Sequence, residues 1–312
     1  LPSTPPPVSS NHSSATRTTG LVLATVGAIA FSGKAIIVKL AFRYQVDAVT
    51  LLMLRMLFAL PFFLLLVWWT SRPRNGVVPV RLTARDWLGI VGLGISGYYL
   101  GSFLDFAGLA YISASLERLI LYLNPTLVLL LGWLIYRRRV LRGQVLGMAV
   151  SYAGVLLVFG RELHGAGPSA WWGATLVFAS AMTYAVYLLY SGQLVKRLGA
   201  LRLVGLASTV ACICCIAQFA VLRPLDSVLA LAPQVIWLSV LNATACTVVP
   251  VLLVMMAVER IGSALTAQSG MVGPVSTILL GVLLLGEPFT AWLAAGTALV
   301  ITGIFIFSRA KV

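Results

Sequence analysis

The chain has 312 residues, of which 60% are hydrophobic and only 10% are charged. A soluble domain carries about 25% charged residues, so a chain this apolar cannot cover its own surface in water, and lipid must be the solvent for most of it. Lys and Arg outnumber Asp and Glu by 22 to 8, but no basic stripe with interleaved aromatics accompanies the excess, so nucleic acid is not the expected partner and the charge reads as that of membrane-protein loops.

Residues Leu1–Thr19 are rich in Pro, Ser and Thr and read as a disordered tail, with no separate cleavable signal peptide. Ten apolar segments follow, each near the roughly 20 residues a helix needs to cross a bilayer. They are Gly20–Phe42, Ala48–Trp69, Asp86–Ala110, Ser113–Tyr136, Val140–Gly160, Trp171–Val195, Leu201–Leu222, Gln234–Val258, Ile261–Gly286 and Thr290–Ser308. The expected fold class is therefore an all-α membrane protein of ten transmembrane helices, with no room for a soluble domain. The loops and ends on one side hold fifteen Lys and Arg; the other side holds Lys39, Arg43, Arg161 and Arg223. Basic residues collect in cytoplasmic loops, which places both termini in the cytoplasm and the chain in a bacterial inner membrane.

Intramembrane charges are functional candidates because each costs at least about 2.5–3.5 kcal/mol at mid-bilayer. Span 1 contributes Lys34, about 21 Å along its helix at 1.5 Å per residue, and span 2 contributes Arg55. Span 3 contributes Asp105, together with Tyr98, Tyr99 and Ser102. Its Gly94, Gly97, Gly101 and Gly108 form one narrow stripe, which suits close helix packing. The string Gly94-Ile-Ser-Gly97 is similar to the nucleophile motif of intramembrane serine proteases, but no intramembrane histidine exists to activate Ser96. Span 4 adds Glu117 and Arg118, then Tyr122, Asn124 and Pro125. Glu117 and Arg118 are the shallowest of the five charges and the ones expected nearest the interface. Three bases against two acids leave one positive charge over, which would suit a substrate carboxylate, and Asp105 or Glu117 could carry a proton. The alternative is a structural ion-pair network between helices.

Span 6 supplies Tyr184 and Tyr187 as further lining candidates, and span 9 supplies Gln268 and Ser269 just before Pro274. Pro125 and Pro274 each free a carbonyl four residues earlier, at Leu121 and Gly270, which then needs a polar partner. Trp68, Trp69, Trp171 and Trp172 stand at span ends, where belt residues sit. The four cysteines lie inside apolar segments and read as small hydrophobes. No Gly-Lys-Ser/Thr phosphate loop is present, so direct ATP drive is not expected, and no cofactor or metal is implied.

The second half echoes the first at an offset of 149 residues: Pro125 meets Pro274, Ile112 meets Ile261, Gly132 meets Gly281, Gly147 meets Gly296 and Gly154 meets Gly303. Matches at Pro and Gly, where backbone geometry is dictated, carry more weight than matches at Leu. A repeat of five helices is odd, so the halves 20–160 and 161–312 would cross the membrane in opposite senses. Inverted repeats of this kind are frequent in secondary transporters, with the substrate site between them.

The repeated segments resemble the EamA family of the drug/metabolite transporter superfamily. Leu123-Asn-Pro-Thr, Gly132-Trp-Leu-Ile and Gly147 to Gly154-Val-Leu-Leu-Val look like its fourth and fifth helices; Gly273-Pro-Val, Leu285-Gly-Glu-Pro-Phe and Gly296 to Gly303-Ile look like the second copy. The resemblance implies ten helices in paired repeats and export of small metabolites such as amino acids, or of drugs. One departure stands out: Tyr136-Arg-Arg-Arg139 replaces the Gly-Glu-Pro turn in the first copy, which leaves Glu287 without a counterpart. The leading expectation is a secondary transporter of a small molecule working in a lipid bilayer. An intramembrane enzyme, a membrane scaffold or receptor, and a channel stay open beside it.

Overall fold

The structure is a computed structural model that describes residues 14–73, 79–137, 141–166, 168–269 and 272–309. The described elements are helices, and no strand occurs among the described residues. In chain order they are α1 (Ser14–Phe42), α2 (Ala48–Thr70), α3 (Ala84–Leu109), and α4, which is split into Ala114–Leu121 and Asn124–Tyr136. They continue with α5 (Arg142–Ala166), α6 (Pro168–Leu198), α7 (Ala200–Leu222), α8 (Pro233–Ala243, Thr244–Val248 and Val249–Ser269), α9 (Val272–Leu285) and α10 (Ala291–Arg309). Eight are long and apolar enough to cross a membrane, and two shorter apolar helices, Val272–Leu285 and Ala291–Phe307, bring the set to about ten. Trp68, Trp69, Trp171 and Trp172 are all exposed at helix ends, as a lipid belt requires.

Three boundaries differ from the sequence reading. Helix α1 starts at Ser14, so Ser14–Thr19 is helical, and residues 1–13 lie outside the described residues. Helix α5 runs on to Ala166 because Arg161–His164 contains no breaker before the Gly-Ala-Gly-Pro string at 165–168. The turn expected at Glu259–Arg260 is helical, and the backbone stays helical to Ser269. In the first half the equivalent turn ends at Ser113, whose hydroxyl caps α4 by accepting from the Leu116 N–H at 3.0 Å; Gly262 stands at the matching position and has no side chain to cap with.

Small residues set the helix pairs. Gly147 of α5 lies against the Gly303 carbonyl of α10, and Gly154 against the Gly296 carbonyl; a Cβ on either α5 glycine would stand 2.6 Å from that oxygen. The contacts cross over, 147 with 303 and 154 with 296, so the two helices run antiparallel and each meets the other's equivalent positions. Helices α1 and α8 are likewise antiparallel, with Gly27 against Val254 and Gly33 against Cys246. The glycine stripe of α3 packs as expected: Gly97 meets Tyr187, Gly101 meets Thr183 and Gly108 meets Val177, all on α6. Helix α2 pairs with α7.

Three wide turns interrupt this regularity among the described residues, one of them over Gly281–Leu285 in α9, and the other two match. Helix α3 is π-helical over Gly94–Leu100 and α8 over Thr244–Val248; the 149-residue offset carries Ile95–Tyr99 onto Thr244–Val248. A π turn leaves backbone groups displaced and often marks a functional place. In α8 the Thr247 hydroxyl donates to the Asn242 carbonyl at 2.8 Å.

The turns opposite the α1 N-terminus are tied across the chain. Gly286, at φ +72°, reverses the backbone after α9 and sends Glu287 onto the start of α4. Its carboxylate accepts from the Ala114 N–H at 2.7 Å, the Ser115 N–H at 3.3 Å and the Ser115 hydroxyl at 2.6 Å. Those N–H groups have no partner inside the helix, and a carboxylate suits the positive end of its dipole. Nearby, Arg43 donates to the Leu285 carbonyl at 2.9 Å. Asp47 caps α2 through the Val49 and Thr50 N–H groups and the Thr50 hydroxyl. Partial burial works to raise its carboxyl, but the Thr50 hydroxyl, these N–H groups and Arg223 outweigh burial and hold it below the usual carboxylate range.

Candidate functional site

Helices α1, α2, α3, α4, α6, α7 and α8 enclose a cavity of about 440 Å³, within the range of small-molecule sites. The pitch of α3 brings Tyr98, Ser102 and Asp105 to its wall; α8 brings Thr247, Val251 and Val254. These are the same three positions at the 149-residue offset. Their chemistry is opposite, since α3 presents a phenol, a hydroxyl and a carboxylate, while α8 presents one hydroxyl and two valines.

The charges converge, as the sequence suggested. Lys34 pairs directly with Asp105 Oδ2, and its ammonium also lies 3.4 Å from Glu117 Oε1. Asp105 is 2% exposed and Glu117 is fully buried, so one ammonium from α1 serves two carboxylates from α3 and α4. Arg55 enters from α2. Its Nε donates to Thr247 at 3.0 Å and its guanidinium faces the Phe106 ring at 5.2 Å, while Nη1 is buried without an acceptor. Arg118 donates to Ser32 at 3.3 Å and stacks near Tyr122 at 5.6 Å; its Nε is also without an acceptor. Ser32 in turn donates to the Gly273 carbonyl at 2.9 Å. A Cβ at Gly273 would stand 2.7 Å from Arg118 Nη2, so a glycine before Pro274 is what lets α9 lie against this cluster.

The break in α4 also resolves as the chemistry requires. Pro125 opens the second helical piece, and the freed Leu121 carbonyl accepts from Asn124 Nδ2 at 2.8 Å. Asn124 Oδ1 remains unpartnered, and Asn124 and Tyr122 both line the cavity. The counterpart carbonyl of Gly270 and the Gln268 side chain lie outside the described residues.

Four placements depart from the sequence reading. Glu117 is fully buried beside Lys34 and does not line the cavity. Tyr99 packs with the buried cluster of α2 and α7 and stands off the cavity, because the next residue along a helix faces another side. Tyr187 lies behind the wall, 5% exposed; it bonds Tyr98 hydroxyl to hydroxyl at 3.2 Å and stacks on Tyr184, and it is Tyr98 and Tyr184 that reach the cavity. Ser96, which the sequence reading did not count among the lining residues, stands outside the lining. Arg118, singled out as a charge but not as a lining residue, is in the wall, along with Phe63, Ser180, Ser208 and the α8 residues. Nothing in the sequence separates Phe63, Ser180 and Ser208 from ordinary span residues, and only the offset from Tyr98, Ser102 and Asp105 points to the α8 trio.

Comparison with known proteins gives a consistent picture. The model of the EamA-like transporter family matches residues 18–160 and again 171–309. A Bacillus subtilis protein named as an uncharacterized transporter, YcbK, is 29% identical over 277 residues, covering 86% of each chain. An Archaeoglobus fulgidus protein, also named as an uncharacterized transporter, is 24% identical over 232 residues, 74% of this chain and 81% of its own. A solved crystal structure superposes with a TM-score of 0.63 over 93% of this chain and 96% of its own at 17% identity, a likeness of fold.

Proposed function

The chain belongs to the EamA-like transporter family, within the drug/metabolite transporter superfamily, and on that premise we propose that it is a secondary transporter exporting a small metabolite by alternating access. The observation that carries this reading is the cavity wall: Tyr98, Ser102 and Asp105 on α3 and Thr247, Val251 and Val254 on α8, equivalent positions of two matching helices. A site built this way lies on the axis relating two inverted repeats, 20–160 and 161–312, where one repeat can rock against the other around a fixed substrate. The crossed glycine pairs of α5 and α10 support the same axis, as an isologous contact does in a two-fold dimer.

Lys34, Arg55 and Arg118 outnumber Asp105 and Glu117 by one. In our reading the spare charge receives an anionic group, and Arg55 Nη1 and Arg118 Nε are the donors with bonds still to give. Asp105 or Glu117 exchanges a proton during the cycle, coupling export to a pH gradient. Both termini face the cytoplasm of a bacterial inner membrane, which the fifteen-to-four bias of basic residues supports. The ends sealed by Glu287 and Arg43 are then the outer ones, and the described conformation is closed outward. A transporter accounts for the site better than an enzyme does, because Ser96 is outside the cavity and the carboxylates are paired with a lysine.

A screen of small anions and zwitterions in proteoliposomes, with and without an imposed pH gradient, tests the proposal. We expect at least one compound to move, faster with the gradient. No gradient-sensitive flux for any member of a broad panel, with folded protein in the membrane, contradicts it.

A further inference from the structure

A second, almost entirely apolar crevice opens on the outer surface of the bundle between α2 and α8, lined by Phe62, Phe63, Leu65, Trp68, Val251 and Leu252 among others. Phe63 and Val251 line the central cavity as well, so these two side chains are the partition between cavity and crevice. The opening has a cause in the backbone. Helix α8 packs on α2 through Pro233–Ala243 and its π turn, and beyond Val248 its main contact passes to α1. The two helices therefore part in the half of the bundle nearer the α1 N-terminus.

The cavity is polarised along the same direction. The cations and carboxylates lie toward the sealed end, and Val251, Val254 and Phe63 lie toward the crevice. Arg55, 7% exposed with Nη1 unpartnered, and Phe63 sit on one helix about 12 Å apart at 1.5 Å per residue. The crevice mouth is rimmed by exposed Leu65, Trp68 and Trp69, and the Arg72 guanidinium lies over the Trp68 ring at 3.5 Å.

We infer that the protein takes single-chain amphipathic anions, with the headgroup held by Arg55 and Arg118 and the hydrocarbon tail leaving the cavity past Phe63 and Val251 into the bilayer between α2 and α8. This rests on the transporter reading for its purpose but not for its evidence. A preformed cation pocket separated from an apolar slot by the Phe63 and Val251 side chains alone matches a carboxylate on an acyl chain: the charge is neutralised inside, and once those side chains yield the methylenes never enter water. A short, polar metabolite would leave the valine wall and the crevice unused.

The test uses the full chain in phosphatidylcholine liposomes and dodecanoate bearing a terminal diazirine. On illumination the label is expected on Phe62–Trp69 and Val248–Leu252, saturably, displaced by dodecanoate but not by butyrate or dodecanol. Arg55→Gln should weaken labelling about tenfold, and Arg55→Lys should largely restore it. Phe63→Trp, which fills the partition, should abolish it while leaving the melting temperature near that of the wild type. Label that never saturates means annular lipid only and overturns the inference, as does displacement by dodecanol equal to that by dodecanoate. The competition pattern is read on the unaltered protein, so a variant that fails to fold leaves the test intact. No flux is measured, so this result stands apart from that of the transport screen.

Discussion

Lys34 is the residue on which the charged cluster turns. It holds Asp105 and Glu117 together, and both carboxylates are buried. Removing one partner of a buried pair costs about 3–5 kcal/mol, because the other charge is stranded. Lys34→Met strands two carboxylates, whereas Asp105→Asn leaves Lys34 with Glu117. We therefore expect Lys34→Met to lower the melting temperature more than Asp105→Asn, and the double variant to fall by less than the sum of the two. Additive losses in a thermal-melt cycle would show that the pair is not coupled. Both single variants should also lower transport per folded molecule. Much of this cluster was legible in the sequence, since a charge inside an apolar span advertises itself. Burial was not: counted from its helix start, Glu117 lies near the end of its span, but the first piece of α4 is packed by α1, α3, α5, α6, α9 and α10, which leaves Glu117 fully buried. The tyrosines were half legible, because an aromatic in a span does not say which of its neighbours stands between it and the cavity.

At the scale of elements, close glycine contacts decide which helices pair. Gly154 meets the Gly296 carbonyl with no space for a Cβ. Gly154→Val should therefore destabilise by about 1–3 kcal/mol or more and reduce folded yield on a detergent sizing column. Gly192→Ala in α6, with nothing within 4 Å of the new methyl, should be neutral or slightly stabilising; equal behaviour of the two would contradict the packing. Glu287 is the other element-level device. As a cap on two α4 N–H groups it contributes about 0.5–2 kcal/mol, and it also ties the α9–α10 turn to α4. Glu287→Ala should lower thermal stability by that amount and increase reactivity of a cysteine placed at Ser113 toward aqueous reagents, while Glu287→Asp restores part of both. An unchanged reactivity would mean the tie does not close that end. The sequence marked the helices and their glycines but not the π turns of α3 and α8, for apolarity has the same pattern in either winding. It also supplied a Gly-Glu-Pro turn without its partner, because the groups Glu287 caps lie some 170 residues away along the chain.

For the whole molecule the claim is an amphipathic cavity between two inverted halves, exposed to each side of the membrane in turn. Orientation is tested first: a reporter fused after Arg309 should be active on the cytoplasmic side, and one between α5 and α6 on the opposite side, the reverse result overturning the charge argument. Alternating access is tested most directly at Ser102, which lines the cavity on α3. In a background with Cys212, Cys214, Cys215 and Cys246 replaced, Ser102→Cys should react with a membrane-impermeant thiol reagent added to either face of proteoliposomes, while the membrane stays electrically tight. Reaction from one face only, from neither, or from both together with a steady conductance would contradict the account.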